Sequence, residues 1–402
     1  MRFRTSLIAI AVAAALPSLA SAVDFSYSGF STAAYSQSDT DDAQVGYVSQ
    51  PEGIDEGGSF ETDSKVGVQV TAKFNEIVSA TVQGVAYSDL AGDFEPRLDW
   101  AYVRVQPLSS LSMRAGYMRA PTFMYSDSVF VGYANTWVRP PLEVYNLLSV
   151  YQMRGVDVTW RGNAGPVAFT VNPYYGDSEV DLSTFTLDIP EWKGLALTAE
   201  YRSLTVRASY SQFELGTGTP ALAPLVAGLR AASVVCAPCG IEAGRLDMDG
   251  TKVDTLSVGA QYDDGTNLVM SEYASSDSGG NYLLPESEGA YATYGRRFGG
   301  FMPYATVATL SRDTATQSII PAGPFSALAG GVNAILSRAG GDQDSYSAGV
   351  RYDLPSFAVF KGALVKLQFD HIDADGNGML NNVQPAFDGQ VNMLSVSFDA
   401  VF

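Results

Sequence analysis

The sequence predicts an all-β fold: a transmembrane antiparallel β-barrel of 16 strands, with short periplasmic turns and long extracellular loops. Three observations predict it. Segments of roughly ten residues alternate apolar and polar side chains along most of the chain, their connections alternate between short and long, and an export signal is followed by no apolar run long enough for a spanning helix.

The export signal is "MRFRTSLIAIAVAAALPSLASA", residues 1–22, with Arg2 and Arg4 in a charged head, an apolar stretch from Leu7 to Leu16, and Ala20-Ser21-Ala22 as a small-residue cleavage site. Its apolar run is short for a membrane anchor. The mature protein is expected as a single barrel domain over 23–402. The formal net charge is −19, and removing Arg2 and Arg4 makes it −21, which disfavours nucleic acid and anionic membrane surfaces as partners. The only cysteines, Cys236 and Cys239 in "CAPCG", would enter an oxidising compartment, so a small loop disulfide is the first reading. A redox motif would need a thioredoxin-like βαβ setting. Zinc would need two further ligands from a chain with one histidine.

The strands follow in order. "SKVGVQVTAKF" puts Val66, Val68, Val70, Ala72 and Phe74 on one face and Lys65, Gly67, Gln69, Thr71 and Lys73 on the other. The same alternation recurs in "VDFSYSGFSTAAYS", "IVSATVQGVAY", "LDWAYVRVQ", "LSMRAGYM", "GVDVTWR", "VAFTVNPYY", "LALTAEYR", "LTVRASYSQF", "DTLSVGAQY", "NLVMSEYAS", "GAYATYGRRF", "FMPYATVATL", "SYSAGVRYDL", "ALVKLQFDH" and the terminal "NMLSVSFDAVF". Short connections ("NE", "PLSS", "GNAG", "DDGT", "GG") alternate with long ones, including "GDSEVDLSTFTLDIPEW" and a cysteine-bearing loop from about Glu214 to Val253. In hydrocarbon every backbone amide must be paired, so a sheet can span only as a closed cylinder. The terminal strand must therefore pair with the first. Tyr117, Trp160, Tyr174, Tyr175, Tyr201 and Tyr210 fall at strand ends, where interfacial girdles belong.

At this point the sequence resembles the Gram-negative outer-membrane porins, the trimeric 16-stranded general and substrate-selective channels, whose closing strand typically ends in phenylalanine. The resemblance implies that Phe402 belongs to the signal read by the outer-membrane barrel assembly machinery. It also implies an outer-membrane location, contact with lipid and lipopolysaccharide, a homotrimer, and passage of small hydrophilic solutes or ions.

Between the fifth and sixth strands runs "RAPTFMYSDSVFVGYANTWVRPPLEVYNLLSVYQ", too long and too aromatic for an ordinary connection. In porins this is the loop that folds inward, so residues of about 119–150 are expected to form a constriction. Asp127, Arg139 and Glu143 are its candidate lumen-facing charges, while Tyr133, Trp137 and Val138 can also pack the loop onto the wall. Strand parity turns Lys65, Arg104, Arg114 and Arg207 inward, with Lys73, Arg161, Arg351 and Lys366 by the same logic, because a cation facing mid-bilayer lipid costs about 2–4 kcal/mol. A basic wall opposite an acidic loop would set a transverse field and a charge preference of undecided sign.

Other signals are weaker. Asp373, Asp375 and Asn377 in "DADGNG" match the start of a calcium loop, but position twelve is Gln384 rather than glutamate, which excludes an EF-hand and leaves only a possible calcium turn at the surface. No cofactor is otherwise indicated. A single histidine, His371, and no nucleophile motif argue against an enzyme. The Ala-rich "PALAPLVAGLRAASVV" and "PFSALAGGVNAILSRA" could form helices over the mouth or touch neighbouring subunits. The alternative function is a non-conducting barrel with an adhesion or structural role.

Overall fold

The computed structural model describes residues 23–47, 51–88, 94–148, 150–182, 185–337, 340–355 and 360–402; the signal segment expected at 1–22 lies outside the described residues. The first eight strands are β1 (Asp24–Ser38), β2 (Lys65–Lys73), β3 (Val78–Ser88), β4 (Phe94–Leu108), β5 (Leu111–Arg119), β6 (Gln152–Ala164), β7 (Val167–Asp181) and β8 (Thr186–Tyr201). They continue with β9 (Leu204–Glu214), β10 (Lys252–Asp263), β11 (Asn267–Asp277), β12 (Glu286–Arg296), β13 (Phe301–Asp313), β14 (Gln343–Asp353), β15 (Gly362–Ala374) and β16 (Gln390–Val401). Each pairs antiparallel with its chain neighbours, and β16 pairs with β1 from Phe30↔Val401 to Ser38↔Met393, closing the barrel.

Phe402 extends this seam. Its backbone N–H and C=O exchange hydrogen bonds of 3.0 Å each with Gly29. A side chain at Gly29 would come within 2.3 Å of the Phe402 ring, so the absence of a Cβ there is what lets the terminal aromatic lie across the first strand.

The period of two sorts the faces. On β16, Leu394 and Val396 are exposed on the outer wall while Ser395, Ser397 and Asp399 are buried inside. Outward Val66, Val68, Val103, Val206, Val258, Val307 and Leu367 continue an apolar band, bordered by exposed Trp160, Tyr175, Tyr201, Tyr210, Tyr262, Tyr294 and Tyr352. One girdle assignment is corrected. Tyr174 is 4% exposed and turned into the barrel, its ring lying over Gly194, because in "PYYG" only one of two adjacent tyrosines can share the outward parity, and Tyr175 takes it.

The segment read as a long loop at 176–192 is also corrected. β7 and β8 continue their pairing through Val180↔Leu187 and Asp181↔Thr186, so most of it is a protruding hairpin. The short turns are local: the Asp264 carboxylate accepts the Asn267 and Thr266 backbone N–H groups at 2.6 and 2.9 Å, which hold its pKa down to about 2.

The Ala-rich stretches fold as helices α2 (Ala223–Ala232), α3 (Ala237–Leu246) and α4 (Ser326–Leu336) beyond the long-loop rim; a short helix, α1 (Leu142–Tyr145), precedes them inside the barrel. Cys236 and Cys239 are disulfide-bonded at the start of α3. Buried Glu242 of α3 accepts the Ser318 hydroxyl at 2.8 Å and the Ile319 N–H at 2.7 Å, joining the two helical loops. No helix among the described residues is long and apolar enough to cross a membrane.

The disulfide closes so short a loop that its removal should cost about 2 kcal/mol, confined to the cap. The expected result for a Cys236→Ser/Cys239→Ser variant is an unchanged barrel melting temperature and faster protease cleavage within 215–251, read by limited proteolysis.

Candidate channel constriction

The loop between β5 and β6 enters the lumen and is fastened to the inner wall around most of its circumference. It leaves β5 at Arg119, whose guanidinium grips Asp99 at 3.0 Å with both partners buried. It then meets β9, where Arg207 Nη2 donates to the Pro121 carbonyl at 2.8 Å and the Ser209 hydroxyl donates to the Thr122 carbonyl. On β11, Glu272 accepts the Met124 N–H at 2.8 Å, the Ser257 hydroxyl at 2.6 Å and the Tyr145 hydroxyl at 2.8 Å. A buried carboxylate with that many donors is hydrogen-bonded rather than ion-paired.

The far side is held equally. Lys366 Nζ donates to the Gly132 and Trp137 carbonyls at 2.7 Å each and lies 3.3 Å from Asp399, with both ionic groups fully buried. The Trp137 indole N–H is shared between Thr293 and Thr306 at 3.0 and 2.9 Å, the Val138 N–H bonds to Gln368 at 2.9 Å, and Arg351 reaches the Tyr133 carbonyl at 3.1 Å. Backbone presses directly on wall at two glycines. A Cβ on Gly132 would lie 2.0 Å from Asp399 Oδ1, and one on Gly289 of β12 would lie 1.9 Å from the Glu143 carbonyl oxygen.

The sequence-derived residues therefore divide. Asp127 is exposed to the lumen, in a space of about 320 Å³ that it shares with Gln69, Gln83, Trp100 and Lys361. Arg139 and Glu143 do not face open water, which corrects their reading as lumen charges. Arg139 is 4% exposed and its Nε donates to Asp63 at 3.0 Å; Glu143 is 1% exposed and accepts from Gln343 at 2.6 Å. Both turn toward the wall because the loop is aromatic and its buried backbone needs polar partners there.

Among the basic wall residues, Arg114 faces in, stacks over the Tyr102 ring and is bidentate to Asp157, its Nε lying 3.1 and 3.0 Å from the two oxygens. Arg104 faces in, bonds Gln106 at 2.8 Å, and lines a space of about 640 Å³ at the short-turn mouth together with Lys73. Lys65 is buried, its ammonium 5.8 Å from the Phe130 ring centre. Lys73 is exposed at the rim and paired with Glu76 of the adjoining turn.

Sequence reasoning missed the acidic half of the wall: Asp63, Asp99, Asp157, Glu272 and Asp399. Asp157 could have been found, since it shares the inward parity of Arg161 on β6 and stands opposite Arg114 on β5. Asp373, Asp375 and Asn377 form no converging set. Asp373 lies exposed near the end of β15, and the Asp375 and Asn377 amides bond the Asp342 and Gly340 carbonyls. Among the described residues no group of three or more His, Cys, Asp or Glu side chains is placed to hold a metal.

This geometry defines a class: a closed barrel with an apolar exterior and an inward-folded loop narrowing a polar lumen. No protein-family model matches the chain, and no curated protein matches it. Solved structures do. The OmpF protein of Salmonella typhi, solved with daunomycin, is 12% identical with a TM-score of 0.57, covering 94% of this chain and 97% of that one. The anion-selective porin of Comamonas acidovorans is 11% identical with a TM-score of 0.54, covering 95% and 100%. The in-vitro folded trimer form of OmpT, an outer-membrane protein of Vibrio cholerae, is 14% identical with a TM-score of 0.55, covering 95% and 100%. At these identities the likeness shows the fold: this chain has the 16-stranded barrel fold of the Gram-negative porins.

Proposed function

We propose that the protein is an outer-membrane channel for passive diffusion of small hydrophilic solutes, exported through its signal segment and assembled as a homotrimer. The observation that carries this reading is the inward loop, held at fixed points across the barrel and bordered by water-accessible space along β1–β4. Such a loop sets a size limit without closing the passage. Proteoliposomes carrying the folded protein should swell in isotonic arabinose faster than in a trisaccharide. Equal swelling to protein-free liposomes would overturn the reading.

The balance of charge along the passage supports an anion preference. Among the described residues Arg104 and Arg161 have no carboxylate within ion-pair distance and Arg207 is bonded to a carbonyl, whereas Asp127 is the exposed acid on the loop. The expected result for Asp127→Asn is a rise of about fourfold in the anion-to-cation permeability ratio, and for Arg104→Gln a fall of similar size, because one unit charge at about 10 Å in water shifts anion and cation by about 0.4 kcal/mol each in opposite directions. Reversal potentials under a salt gradient measure both.

A non-enzymatic role is supported by the single histidine. His371 stands on the outward parity of β15, its Nδ1 2.8 Å from Asn392 Oδ1 and its ring stacked on Tyr346. A second reading, an occluded barrel with a surface role, is favoured by one observation: the helical loops are bonded to each other through Glu242 above the rim.

A further inference from the structure

Above the constriction loop, toward the long-loop side, lies a chamber of about 710 Å³ whose chemistry does not suit a vestibule for sugars or salts. Its floor is Leu148 and Val150 of the inward loop, its walls include Ile189 and Phe213, and Leu222 and Ile335 of the helical loops overhang it. Carbon surface of this kind favours a ligand with an apolar body, which sheds ordered water on entry.

Among the described residues one cation enters this apolar space. Arg312, on the inward parity of β13, lines the chamber, and its Nη1 donates to the Gly378 carbonyl at 2.7 Å while Nη2 lies 2.9 Å from the Met379 sulfur. Its Nε is buried with no partner. Among the described residues no carboxylate stands within ion-pair distance of the guanidinium, and the nearby Asp342 carboxylate instead takes the Arg312 backbone N–H at 2.9 Å. A guanidinium offers five donors in a planar fork that matches a carboxylate, and here one oxygen and one sulfur engage it. Arg104 and Arg207 also carry a buried, unpartnered Nε, but Arg312 is the described basic residue that lines the apolar chamber.

We propose that this chamber binds small amphipathic carboxylates, with the apolar body against the aliphatic floor and walls and the carboxylate on Arg312. The site deepens the channel reading, on which it rests for its role: a solute held here is concentrated ahead of the constriction.

Isothermal titration of the folded wild-type protein with benzoate, benzamide and acetate tests the site, because the three probes separate charge from apolar body. Benzoate should bind at least tenfold more tightly than benzamide, which lacks the charge, and than acetate, which lacks the ring. Arg312→Gln should bring benzoate down to the benzamide value and Arg312→Lys should retain part of the difference, with heat-modifiable migration confirming that each variant is folded. Equal affinities for benzoate and benzamide, or no heat from benzoate, would overturn the proposal, and the wild-type comparison stands even if a variant does not fold. Conductance of the same sample in potassium chloride separates the two readings. A conducting barrel without benzoate preference sinks the site and keeps the channel; benzoate binding by a silent barrel does the reverse.

Discussion

Arg139→Ala should release the constriction loop. Asp63 would be left as a buried carboxylate without its guanidinium, and breaking a buried ion pair by removing one partner costs about 3–5 kcal/mol. The barrel itself is held by a closed ladder of strand pairs, so the loss falls on the loop's attachment rather than on the wall. Single-channel records should show larger and noisier open steps than wild type, together with a lower temperature of conversion to the unfolded gel band. Arg139→Ala/Asp63→Ala should recover part of the thermal loss, because the Asp63 carboxylate is then no longer buried without its guanidinium. An Arg139→Ala protein with wild-type conductance and noise would mean that this pair does not hold the loop.

Gly289→Val should act from the opposite wall with a comparable effect. A Cβ at this position of β12 would lie 1.9 Å from the Glu143 carbonyl oxygen, and that oxygen is backbone, so no rotamer change relieves the clash. Either α1 lifts from the wall or β12 bends, and the strand is held on both sides by ladder hydrogen bonds. The helix should therefore move, weakening the Glu143–Gln343 and Tyr145–Glu272 contacts beside it. The cost is that of an overpacked core position, about 1–3 kcal/mol. Increased conductance with unchanged barrel yield is the expected outcome. Gly299→Val at a short turn, where a Cβ would meet nothing within 4 Å, is the comparison for substitution as such, although its positive φ adds local strain.

The barrel was legible because its signal is one-dimensional. A period of two sorts lipid from lumen without any knowledge of partners, so strands such as Lys65–Lys73 and Gln390–Val401 were readable within two residues of their ends. The inward loop was legible by its length and its aromatics. Its fastening was not, because that depends on which wall residue lies opposite at a given height. β11 shows why: Leu268, Met270, Glu272 and Ala274 share the inward face and all are buried under the loop, so one carboxylate is hidden in an otherwise apolar row. Arg139 and Glu143 were misread for the same reason. A charged residue on a lumen loop looks solvent-facing until the loop's path places Asp63 and Gln343 behind it. The extended hairpin at 176–192 did leave a trace, since Val180, Leu182, Leu187 and Ile189 keep the strand period beyond the aromatic border.

Planar-bilayer recording of the purified wild-type protein, with the reversal potential under a salt gradient, tests the channel reading most directly. A loop docked across an open trimeric barrel predicts stable steps grouped in threes with low open-state noise and a reversal potential on the anion side. Silence from a folded, heat-modifiable barrel would contradict it and leave the occluded surface protein as the reading that stands.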